Sequence, residues 1–450
     1  MLQKFDNAFA SANYDFFDSI DTLQSAIERA KPGAVLVLAN GEYLDARITI
    51  NRDNLTIRAE SPGKVIFTGD CRVVIKGNGS TFNGFQFVAV ETPGILIRVL
   101  GNENKLIDIN FLGVIAEKYI NLEASGVKNE VLYCNFENKP ERAPRGNLVG
   151  VIPNKQFPGF HKIRFCSFKN LPGTGGDFGN EPIRIGLGEK SEFISRTLIE
   201  SCYWENTGSG DSENISIKCR ENVVRYCTFR NNTAGMLVFR NGNDNMAYGN
   251  YFFNAGGIRV KEASNIFCFS NYFENSGKDG EAHSVILDYV PGHLRNVNFL
   301  FNSFINCAPI SLGTNPSVAS QWSNNIFAND SGGIFADASA GTKWRGNQFQ
   351  GSLGIKRVTG LDPAALHLVR KLNGFRFPTS KSNSRAAAVT GFTRPMMYEG
   401  MQPSDPLSFD FSRKARPKQA SSWDIGALQY SRTPSSPPVV TAANTGPRYL

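Results

Sequence analysis

Lys218, flanked by Ile217 and Cys219, and Arg240, preceded by Leu237, Val238 and Phe239, stand 22 residues apart in matching apolar surroundings. Lys261 follows 21 residues after Arg240, and Arg259 lies two residues before Lys261. Just upstream of Lys218, the segment GSGDSENISIK holds Asp211 and Glu213, and an earlier segment, DFGNEPIRIG, holds Asn180, Glu181 and Arg184. Two carboxylates and an amide oxygen meeting at one face have the hard-oxygen character of a Ca2+ site. The same carboxylates could equally serve only to neutralise Lys218 and Arg240. One reaction uses all of these parts: β-elimination from a uronic acid polymer. The C5 proton beside a carboxylate becomes acidic once that carboxylate is neutralised, which a divalent cation bridging it to protein oxygens achieves. A lysine serves as base where nearby positive charge lowers its pKa, and a stacked arginine and an adjacent cation supply that charge. Arg240 would stabilise the developing enolate or assist the O4 leaving group. Glycoside hydrolysis needs an acid and a second carboxylate at a set separation and has no use for the Lys and Arg.

These residues act together only if the chain stacks them, and a recurring pattern predicts that it does. C-N-F-E-N begins at Cys134, and related stretches begin at Cys166, Cys202, Cys227, Asn250, Asn271, Asn302, Asn325 and Asn347. Their aromatic anchors run from Phe136 to Phe349 at spacings of 21 to 36 residues, with Phe87 and Phe111 extending the series upstream. The minimal period, about 22 residues, holds short β-rich pieces such as NISIK and GMLVF between Gly and Asn turns. Three strands and three turns per period predict an all-β fold, a right-handed parallel β-helix whose equivalent residues stack at roughly 4.8 Å. Lys218 lies 11 residues before its anchor, and Arg240 and Lys261 each lie 12 before theirs. Three successive coils therefore carry a cation at nearly one height on one face. Stacked like charges repel, so carboxylates or a function must accompany them. The Cys and Asn positions of the pattern form inward ladders: the cysteines are expected as small buried fillers, and the asparagines as groups bonding along the stack.

At the N-terminal end, SIDTLQSAIERAKPG reads as a short helix that caps the open end of the solenoid, with Asp21 and Gln24 suiting a capping box. The expected organisation is an N-terminal extension over 1–18, a β-helix domain with its capping helix over 19–352, an irregular extension packed on it over 353–432, and a flexible tail over 433–450. The chain has 450 residues, with 48 Lys and Arg against 40 Asp and Glu, a formal charge of +8 that favours a polyanionic partner. No stretch approaches the roughly 20 apolar residues of a membrane helix. The N-terminus has no charged segment followed by an apolar one, so a secreted or periplasmic location would require a signal already removed. The eight cysteines lack CxxC spacing.

At these residues the sequence resembles polysaccharide lyase family 6, the parallel β-helix alginate lyases and chondroitinase B. The segments that carry the resemblance are TLQSAIERAKPGAVLVLANGEY, RAESPGKVIFTG, NEPIRIG, ENISIKCRENV, GMLVFRNGN, GGIRV and DIGALQ. It implies Lys218 as Brønsted base, Arg240 as its acid or charge-stabilising partner, and Ca2+ held by Asn180, Asp211 and Glu213. It implies Arg184 and Arg259 as substrate contacts. Asn241, Lys261, His283 and Tyr289 are expected to line the same groove. The family usually has histidine where this chain has Asn241, and glutamate where it has Asp211. The 22-residue separation of Lys218 and Arg240 is about one longer than the family's, which a small bulge would absorb. The implied activity is Ca2+-assisted cleavage of an anionic polysaccharide, with alginate preferred and neither nucleic acid nor membrane as partner. The alternatives are a dermatan sulfate lyase, a uronan C5-epimerase and a non-catalytic polysaccharide-binding β-helix.

Overall fold

The computed structural model describes residues 14–171, 181–208, 213–232, 234–278, 283–288, 294–371 and 374–450. Short strands of three to five residues dominate, and each coil gives one strand to each of three long sheets. In one coil these are Val223–Arg225, Thr228–Asn232 and Met236–Arg240. Two sheets have 14 strands and the third has 10, with every described pairing between successive coils parallel. The chain is a parallel β-solenoid, as its period predicts.

Inside the coils, alternation decides what is buried. Ile215, Ile217, Leu237 and Phe239 point into the core and are 0 % exposed. The aromatic anchors from Phe87 to Phe327 stack ring on ring, with centroids 4.5 to 5.3 Å apart. Beside them Cys134, Cys166, Cys202 and Cys227 are buried and unbridged. The buried asparagines continue this ladder. Asn250 Nδ2 donates to Asn271 Oδ1, Asn271 to Asn302, Asn302 to Asn325 and Asn325 to Asn347, at 2.9 to 3.0 Å. The last Asn of the pattern has another cause. Asn138, Asn170, Asn206, Asn231, Asn254, Asn275 and Asn306 all take φ between 47° and 56°, a left-handed turn that asparagine adopts at least cost after glycine.

Several boundaries differ from the sequence expectation. Asp15–Phe17 already pairs with the strand Val35–Leu38, so the first sheet starts before residue 19. The helix Ile20–Arg29 is capped by Ser19, whose side chain accepts from the Thr22 backbone N–H, while Asp21 sits in the first turn. It buries Leu23 and Ile27 against the core. At the other end, Leu361–Pro363 extends a 14-stranded sheet past residue 352. The C-terminal extension lays Leu407 and Trp423 over Val223, Met246 and Phe269, and Phe375 and Phe411 over Tyr251 and Tyr272. Residues 433–450, expected as a flexible tail, instead dock on early coils: Arg448 binds Asp108, and the Gly446 N–H donates to Phe165 O at 2.8 Å. Composition predicted a mobile segment because it carries no record of a docking partner.

Candidate active site

The outer face of the ten-stranded sheet carries the candidate residues. Ile185, Ile217, Phe239, Val260 and Leu287 are level in successive strands and point inward. The residues that follow them, Gly186, Lys218, Arg240, Lys261 and Asp288, therefore form one outward row, and the residues before them place Arg184, Ser216, Val238, Arg259 and Ile286 in the next. The predicted stacking of Lys218, Arg240 and Lys261 is present.

Lys218 and Arg240 each face a carboxylate. Glu213 Oε1 lies 3.2 Å from Arg240 Nη1, and Glu181 Oε1 lies 3.6 Å from Lys218 Nζ. The other oxygen of Glu181 is 4.0 Å from Arg184 Nη1. Both acids are buried, Glu181 at 7 % and Glu213 at 5 % exposure. Burial raises the Glu181 carboxyl above its usual range, Lys218 and Arg184 counter that rise, and the neighbouring Glu213 adds to it. Glu213 Oε2 is buried and has no hydrogen-bond partner among the described residues.

A bulge sets the position of Glu213. Glu213 pairs with Met236 but Ile215 pairs with Leu237, so one extra residue, Asn214, is inserted there. Strict alternation from the inward Ile215 would turn Glu213 into the core; the extra residue returns it to the outer face beside Arg240. The bulge thus lies ahead of Lys218, not between Lys218 and Arg240. Asn214 is held by Thr207 Oγ1 at 2.8 Å and by Gly235 O at 3.1 Å.

The structure brings together Lys218, Arg240, Arg184 and Glu213 from the sequence-predicted set. Arg259 and Lys261 lie one coil further on, where Arg259 donates to Asp288 and Lys261 is level with both Arg240 and Asp288. Asn241, at φ 65°, donates through Nδ2 to Glu262 Oε2 at 2.5 Å. His283 Nδ1 is 2.9 Å from the carbonyl of Pro309. Asn180, Asp211 and Tyr289 lie outside the described residues. Glu181, which faces Lys218 and Arg184, is a site residue that the sequence reading named only as a neighbour. The signal was present: EPIRI and ENISI share E-x-I-x-I, and Ile183 pairs with Ile215, which makes Glu181 and Glu213 equivalent on adjacent coils.

The donor set suits a hard divalent cation. Two buried carboxylates from adjacent coils converge, and one of their oxygens has no hydrogen-bond partner among the described residues. Elsewhere, a cavity of about 720 Å3 on a 14-stranded sheet is lined by Lys105, Lys128 and Lys162 but equally by Glu103, Glu130 and Glu399. That balance gives an anion no net attraction.

Comparison with known proteins follows this geometry. Residues 17–327 match the family model described as Chondroitinase B. No curated protein matches the chain. Among solved structures, the chain is similar to the PL6 family alginate lyase AlyGC at 23 % identity and a TM-score of 0.73, covering 82 % of this chain and 56 % of that one. A mannuronic acid specific polysaccharide family 6 lyase from human gut microbiota gives 21 % identity and a TM-score of 0.68, covering 78 % of this chain and 90 % of that one. A PL6 alginate lyase in complex with a trisaccharide gives 20 % identity and a TM-score of 0.66, covering 82 % of this chain and 91 % of that one. The chain thus spans little more than half the length of AlyGC.

Proposed function

Because the chain belongs to the chondroitinase B family, we propose that it is a polysaccharide lyase that cleaves a uronate polymer, preferably alginate, by β-elimination. The observation that carries this reading is the outward pair Lys218 and Arg240, each next after the paired Ile217 and Phe239 of adjacent strands and each facing a buried carboxylate. Lys218 takes the C5 proton. The C–H electron pair forms the C4–C5 double bond as the C4–O4 bond breaks, and the departing O4 collects a proton from Arg240 or from water. Arg240 also faces the negative charge that develops on the uronate. Arg184, Arg259 and Lys261 lie along the same face, suited to the carboxylates of neighbouring sugars. Alginate is proposed ahead of dermatan sulfate because two of the similar solved structures named above are described as alginate lyases.

Ca2+ is part of the proposal: Glu181 and Glu213 would hold it, with Asn180 and Asp211 as further donors. When bound, the ion neutralises the uronate carboxylate and so acidifies the C5 proton. A secreted or periplasmic location suits a polymeric substrate. The test is to incubate the protein with alginate and with dermatan sulfate, with Ca2+ or with chelator, and to follow the ultraviolet absorbance of the unsaturated uronate. Absorbance growth on alginate that chelator suppresses is expected. No growth on either polymer would overturn the lyase reading.

A further inference from the structure

The two acids suited to the metal are also the partners of the two cations assigned to the chemistry. Glu181 Oε1 is 3.6 Å from Lys218 Nζ, and Glu213 Oε1 is 3.2 Å from Arg240 Nη1. These contacts are poorly hydrated: the four side chains are 10, 17, 6 and 26 % exposed in that order. A divalent ion that took those oxygens as ligands would meet an ammonium and a guanidinium at bonding distance from the same atoms. Charges of one sign in so dry a setting repel strongly. Glu213 Oε2 has no hydrogen-bond partner among the described residues, and it offers the ion a first contact.

We propose that Lys218 and Arg240 compete with the metal for Glu181 and Glu213: in the metal-free chain the cations occupy the carboxylates, and metal loading displaces them toward the substrate. This rests on the metal reading above and extends it. The metal-free site is then self-neutralised, with both cations engaged by protein acids instead of facing solvent. Arg184, 4.0 Å from Glu181 Oε2, adds to the positive charge the ion must overcome. The metal would prepare the base and its partner as well as the substrate.

Calorimetric titration of Ca2+ into the full chain, without substrate, tests this apart from activity. Lys218→Met and Arg240→Met each remove a competitor while keeping an unbranched apolar stem, and each is expected to bind Ca2+ about tenfold more tightly than the parent. Lys218→Arg keeps the charge and is expected to bind as the parent does. Two Met variants allow the comparison to stand if one of them fails to fold. Unchanged or weaker binding in the folded Met variants, with the parent binding normally, would overturn the competition and leave the metal site intact. No binding by the parent would overturn the metal reading itself, and the inference with it.

Discussion

At the scale of single residues, the site is a set of cations each paired with an acid. Lys218 and Arg240 were legible as neighbours because the aromatic anchors fix the coil length. Glu181 shares the E-x-I-x-I pattern of Glu213, but its pairing with Lys218 was not legible, because alternation alone says nothing about the contacts of residues that precede a strand. The bulge at Asn214 was hidden for the same reason: a one-residue insertion leaves no mark in composition or period, yet it decides which way Glu213 faces. Asn241 gives a residue-scale prediction. Its amide donates to Glu262, and it adds no titrating group beside Arg240. Asn241→His introduces an imidazole with an ordinary pKa of about 6.5. The kcat/KM profile of the variant on alginate is expected to gain an inflection near that pH that the parent lacks. Superimposable profiles would place residue 241 outside the groove.

At the scale of elements, stacked side chains do the work that a single core does in compact domains. One buried ladder runs Ser80, Asn104, Asn129, each side chain accepting a backbone N–H from the coil before it, and His161 is its next rung. His161 Nδ1 accepts from the Asn129 N–H at 3.2 Å, which requires that nitrogen to be unprotonated. Burial lowers the His161 pKa from 6.5 to about 4. The neutral form is therefore favoured by the fold. Its contribution is complete above pH 6.5 and is lost as pH falls toward 4, because only the unfolded chain takes up the proton in that window. The difference amounts to about 3 kcal/mol. His161→Asn, which restores the residue used elsewhere in the ladder, is expected to flatten the acid side of the stability curve, read as the urea midpoint against pH. An unchanged acid slope would mean that other groups set it. The inner ladders and the ring stack were legible as repeats. The left-handed turns at the last Asn of seven of these patterns were not, since the sequence shows the residue but not its φ.

At the scale of the whole molecule, the solenoid leaves apolar outer faces that the C-terminal extension covers. Its last residues then return to the early coils, where Arg448 forks onto Asp108, packs over Tyr133 with its guanidinium 4.7 Å from the ring, and leads Tyr449 to Phe85 O. Asp108 is only 6 % exposed, so removing its partner strands a nearly buried carboxylate. Arg448→Ala is expected to cost about 1–3 kcal/mol in a denaturant titration and to leave turnover on alginate intact, because the contact is far from Lys218 in the coil order. An equal loss of turnover would show that this strap also shapes the groove. The coil that brings Lys218 level with Arg240 remains the centre of the account, and one measurement tests it most directly: the rate at which Lys218→Met, verified as folded by circular dichroism, forms unsaturated uronate from alginate at saturating Ca2+. The account predicts a loss of at least about a thousandfold in kcat; a rate near that of the parent would contradict it.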